Sequence, residues 1–129
     1  MDERGAVTIV AITASLILCV GSLAAADLGS MLHARARAQS AADAAALAAV
    51  AAEAPILGLD EDPQAAARDE AERNGAVLVS CDCSSGGTAA TVEVRVTPKL
   101  GFLSGWFGRS ARAEARAELD PDVLSYRDS

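Results

Sequence analysis

AVTIVAITASLILCVGSLAAA, residues 6–26, carries no charged side chain and lies between Arg4 and Asp27. At about 1.5 Å of rise per residue, a helix of roughly twenty such residues crosses the ~30 Å hydrocarbon core of a bilayer. Thr8, Thr13, Ser15 and Ser22 do not break this reading, because a hydroxyl can bond back to a carbonyl in the preceding turn. The stretch therefore reads as a transmembrane helix, with a buried helix of a soluble protein as the alternative. Ala24, Ala25 and Ala26 ahead of Asp27 also resemble a signal-peptidase site. Against cleavage there, the leading MDER holds more acid than base, the apolar run exceeds a usual signal core, and helix-forming sequence continues past Ala26. Residues 1–26 are expected to form the N-terminus and a retained membrane segment. A secreted, soluble binding module released after Ala26 is the rival.

Downstream, only Gly29 interrupts high helix propensity until Pro55, and AQSAADAAALAAVAAEA is rich in the best helix former. Residues 27–54 are thus expected to extend the membrane helix into one rod of roughly 48 residues, about 70 Å long. Leu28, Met31, Leu32, Ala42, Leu47 and Val50 mark a thin apolar stripe by which the rod would pack. Within the rod Gly21, Ala25 and Gly29 form one line of small residues, and Ser22, Ala26 and Ser30 an adjacent one. Such lines permit close lateral approach of membrane helices, although alanine-rich sequence also produces them by chance.

Residues 55–129 read as a small α/β domain. After acidic Asp60, Glu61 and Asp62, the segment PQAAARDEAERNG has Pro63 for a first helical turn and Asn74-Gly75 for a stop. Asp69 and Arg73 are spaced for an i,i+4 pair. The period then changes to two. AVLVSCDC, TVEVRVT and ARAEARAEL are strand candidates, the last also compatible with helix, and their charged faces are placed to pair across strands. The fold expected is α+β: a long N-terminal helix, a short helix and a three-stranded antiparallel meander.

Composition narrows the function. A formal charge of −7 argues against nucleic-acid binding. Aromatics make up 3% of the chain, so small aliphatic residues must form the core and the domain is expected to lean on a partner. Cys81 and Cys83 lack further ligands for zinc; they are expected to pair with each other after local distortion, pair between chains, or stay buried. His33 has no nucleophile or orienting group beside it in the sequence and reads as a solvated helix residue. No enzyme motif and no cofactor or metal site is indicated. The loop LGFLSGWFG gathers Phe102, Trp106 and Phe107. Trp106 and Phe107 would either cap the core or meet a partner or the membrane interface.

RGAVTIVAI opening a membrane helix, then RARAQSAADAAALAAV, then NGAVLVSC and VEVRVTPKLGFLSGWFGRSARAEARAEL, together resemble the TadE/TadG-like proteins of tight-adherence (Flp-type) pilus systems. The short TadE-like proteins of actinobacteria are the most similar. The resemblance implies a pseudopilin or minor-pilin-like part of a pilus or secretion apparatus in the cell membrane. Other subunits would be its partners and the C-terminal domain would lie outside the cytoplasm. It overrides the charge pattern, since His33, Arg35 and Arg37 after the membrane segment by themselves favour a cytoplasmic C-terminus. It also implies peptidase processing after a glycine, with glutamate at the fifth mature position. Gly5-Ala6 matches the first requirement, and Val10 stands where the second expects glutamate.

Overall fold

The computed structural model describes residues 3–53, 62–83, 87–98 and 108–120. One helix, α1, runs unbroken over Glu3–Glu53. Its 51 residues correspond to about 76 Å. In the first part every side chain described from Gly5 to Ala26 is exposed. Two hydroxyls there are satisfied within the helix, Thr13 Oγ1 donating to the Ile9 carbonyl and Ser22 Oγ to the Leu18 carbonyl, both at 2.8 Å.

The second part is buried along a stripe of Ala34, Ala38, Ala41, Ala42, Ala45, Ala46, Ala49, Val50 and Ala52. Steps of three and four keep these residues on one helical face. The leucine stripe expected from the sequence is corrected here. Leu28, Leu32 and Leu47 are 64%, 58% and 64% exposed, Met31 is half-buried, and only Ala42 and Val50 of that set are enclosed. The physical reason is close approach: a face of methyl groups lets the helix backbone settle onto α2 and the sheet, where leucines would hold it off.

Helix α2, Pro63–Arg73, is defined at both ends. The Asp62 carboxylate caps its start by accepting from the Gln64 amide at 3.1 Å. Its end closes as a Schellman turn, with Ala76 N–H donating to the Ala71 carbonyl and Gly75 N–H to the Glu72 carbonyl, both at 2.9 Å. That turn holds Gly75 at φ +71°, the left-handed region where a glycine is favoured. Arg73 makes the i,i+4 ion pair with Asp69 at 2.7 Å.

Strands β1 (Val77–Cys83), β2 (Ala89–Val96) and β3 (Ala111–Glu118) form an antiparallel sheet in the order β1-β2-β3. The last segment is therefore a strand, as its alternation indicates, despite its helix-forming composition. One sheet face packs on both helices through Ala90, Val92, Val94, Val96 and Ala111, with Leu78, Cys81, Cys83 and the β3 alanines beside them. A β-bulge between Leu78 and Ser80 sets β1: Leu78 opposes Val94, while Cys81 and Cys83 oppose Val92 and Ala90. The extra residue reverses the alternation, so Leu78 and both cysteines face inward while Val77 and Val79 are exposed.

The outer face carries the charges. Like charges stand directly opposite, Arg95 across from Arg112 and Glu93 across from Glu114. Attraction is recovered on the diagonal, where Arg112 meets Glu93 at 3.4 Å. On β3, Arg116 also pairs with Glu118.

Candidate functional site

Two features stand out among the described residues: the long helix, and the end of the domain that faces the helix's bare half. Val96, Thr97 and Pro98 at the end of β2 meet Ala26, Ser30, His33, Ala34 and Arg37 of α1 around an apolar cleft of about 490 Å³. A second, polar cleft of about 540 Å³ lies between His33, Arg37 and Ser40 of α1 and the closing turn of α2, Glu72 to Gly75. These contacts fix direction. The C-terminal ends of β2 and α2 and, through the antiparallel register, the N-terminal ends of β1 and β3 all point back along α1 toward residue 26. This is the near end of the domain. The far end holds Glu53, Asp62, Asp82 and Glu118.

The two lines of small residues have different fates. Gly21, Ala25 and Gly29 are all exposed, and a Cβ built at either glycine meets nothing within 4 Å. The adjacent line turns toward the domain at its lower end: Ala26 and Ser30 border the apolar cleft, and Ser30 donates to the Asp27 carbonyl. Only the glycine line is left open along its whole length.

Gly5 and Ala6 lie in the first turns of α1 and are exposed. Cys81 and Cys83 sit side by side on the inner sheet face with Cα atoms 5.3 Å apart and their sulfurs within bonding distance, while Cys19 is exposed on the bare half of α1. Trp106 and Phe107 lie outside the described residues, although the flanking Pro98 borders the near-end cleft. His33 is exposed and lines both clefts. Among the described residues no group of three or more His, Cys, Asp or Glu is placed to hold a metal ion.

What the sequence reading missed is the gathering of cations. Arg35 and Arg37 come from α1, beside His33, with Arg73 from α2, Arg95 from β2 and Arg112 from β3, and all stand at the near end. In the sequence these residues are scattered among alanines, valines and acids. Only the direction of each element, set by the turns, collects them.

The bare half of α1 is long and apolar enough to cross a membrane. No curated protein and no solved structure matches the chain. A family match is found, and it falls on the long helix: residues 5–52 fit the family described as putative Flp pilus-assembly TadE/G-like.

Proposed function

We propose that this chain is a membrane-anchored, non-catalytic pseudopilin- or minor-pilin-like component of a tight-adherence-type pilus or secretion apparatus. The observation that carries the proposal is α1 itself. Residues 5–26, uncharged and mostly apolar, project bare from a folded domain, and the TadE/G-like match covers that projection and its continuation into the domain core. A helix that is apolar all round and packs on nothing exposes far more apolar surface than water tolerates; a bilayer removes that cost. In this reading residues 1–26 anchor the chain, residues 27–54 lift the domain off the surface, and residues 55–129 meet other subunits outside the cytoplasm.

The open line of Gly21, Ala25 and Gly29 is the surface for lateral helix association, because small side chains let a second backbone approach. Trp106 and Phe107 are the proposed contact with a partner subunit, and Cys81 and Cys83 the proposed disulfide. Gly5-Ala6 is the proposed processing site.

Intact mass and N-terminal sequencing of the protein from fractionated native cells test the proposal. A membrane-bound species beginning at Ala6 supports pilin-type maturation, and one beginning at Met1 or Asp2 supports an unprocessed accessory subunit. A soluble species beginning at Asp27 overturns the anchor and leaves a secreted module. The same spectrum reads the cysteine pair, whose bonded form lacks a pair of hydrogens.

A further inference from the structure

The near end of the domain carries a charge pattern that the anchor alone does not require. The chain as a whole is acidic, yet this end gathers His33, Arg35, Arg37, Arg73, Arg95 and Arg112. Arg73 is held by Asp69 and Glu70, and Arg112 by Glu93. Among the described residues Arg35, Arg37 and Arg95 make no ion pair. Besides the pairing acids Asp69, Glu70 and Glu93, the acids on these elements near that end include Asp27, half-buried on α1, Glu72, which borders the polar cleft, and Glu114, across from Glu93.

Position along the helix sets what these cations can reach. The exposed Leu28 and Leu32 carry the apolar surface of α1 about six residues beyond Ala26, roughly 9 Å of rise. The headgroup layer adds only about 5–7 Å beyond the hydrocarbon on each side. His33 and Arg35 thus stand roughly 4–8 Å above that layer, within the reach of a long side chain. Helical Cα–Cβ bonds tilt toward the N-terminus, here toward the bilayer, and the long arginine stem lies along apolar surface while its head seeks polar ground. On the sheet, Arg95 stands directly across from Arg112 in the last row that all three strands share before the bare helix, with the exposed Val77 on the other side of Arg95. Two like charges at that spacing repel. Glu93 offsets part of that repulsion through Arg112, and a phosphate between the two arginines adds charge-assisted hydrogen bonds, above all to the unpaired Arg95.

We propose that the near end of the domain, through Arg35, Arg37, Arg95 and Arg112, docks on the headgroups of anionic phospholipids. This inference rests on the membrane-anchored reading. The acids at the far end complete the device, because an anionic surface repels them and so favours the upright domain.

The test uses the full chain in nanodiscs of phosphatidylcholine, with and without phosphatidylglycerol, melted while helix content is followed by circular dichroism. The midpoint is expected to lie several degrees higher in the anionic discs. The difference should shrink by at least half in the R35Q/R37Q/R95Q variant and again at high salt, where such contacts are screened. All three substituted side chains are exposed and lack ion pairs, so the variant should melt like the parent in phosphatidylcholine alone. Equal midpoints in the two discs, or a difference that survives the triple substitution, overturn the inference while leaving the anchor intact. A chain that fails to co-elute with either disc overturns the anchor and this inference together.

Discussion

Alanine does at Ala45 what leucine does in most cores. Ala45 is fully enclosed between α1 and its neighbours, and two residues on, Leu47 is open to solvent. The usual ranking of core residues is inverted, and so are the expected mutational costs. Ala45→Leu forces the helix off the sheet and should destabilise the domain by about 1–3 kcal/mol. Leu47→Ala should change stability by no more than about 0.5 kcal/mol. Val92 and Val94, the largest fully buried side chains, leave a cavity when shortened; Val92→Ala should cost about 2 kcal/mol. Urea unfolding of the three variants in detergent, followed by circular dichroism, gives all three numbers. A larger loss from Leu47→Ala than from Ala45→Leu would mean that the leucine face is buried against something. The same inversion explains why the core face of α1 was not legible in its sequence. Leucines conspicuously spaced in a run of alanines draw the eye to the wrong face, and no rule of hydrophobic spacing separates one alanine from another.

At the scale of elements the sequence was more informative, and its limits are local. The short helix could be read from Pro63, Asn74 and Gly75, and the strands from their period of two. The open space around Gly75 means that a side chain there pays only for the left-handed backbone. Gly75→Ala should therefore cost about 1 kcal/mol, and Gly29→Ala, in helical backbone with equally open space, should stabilise the isolated chain by up to about 1 kcal/mol. Differential unfolding of these two variants measures the contrast. In β1, strict alternation would place Val77, Val79, Cys81 and Cys83 on one face. The bulge breaks that parity and turns the valines out and the cysteines in. A bulge is chosen by the partner strand as much as by the residues that form it, so single-strand patterning does not reveal it. Cross-strand charge pairing was legible in kind but not in register: the opposite charges meet on the diagonal.

For the whole molecule, the open glycine line gives a clean separation of folding from assembly. Because a Cβ at Gly21 or Gly29 meets nothing in the single chain, Gly21→Ile together with Gly29→Ile should not lower the melting temperature of the dilute, monomeric protein. Chemical crosslinking in membranes should then lose most of its dimeric and higher species if this line mediates lateral contact. Unchanged crosslinking would assign lateral contact to another face. The near-end gathering of arginines belongs to this scale too, since no element carries it alone, and for that reason it lay outside what the sequence displayed.

The continuity of α1 has a mechanical consequence. No glycine turn or proline separates the bare apolar part of α1 from the part in the domain core, so the two cannot reorient independently. Membrane helices tilt by about 20° on average, and by more where the bilayer is thin. The helix continues about 24 residues past Gly29 to Glu53, so a tilt of that size carries its far end sideways by roughly 12 Å. On the proposed membrane-anchored reading, bilayer thickness is thereby converted into displacement at the distal tip, with the membrane surface as the fulcrum of a lever.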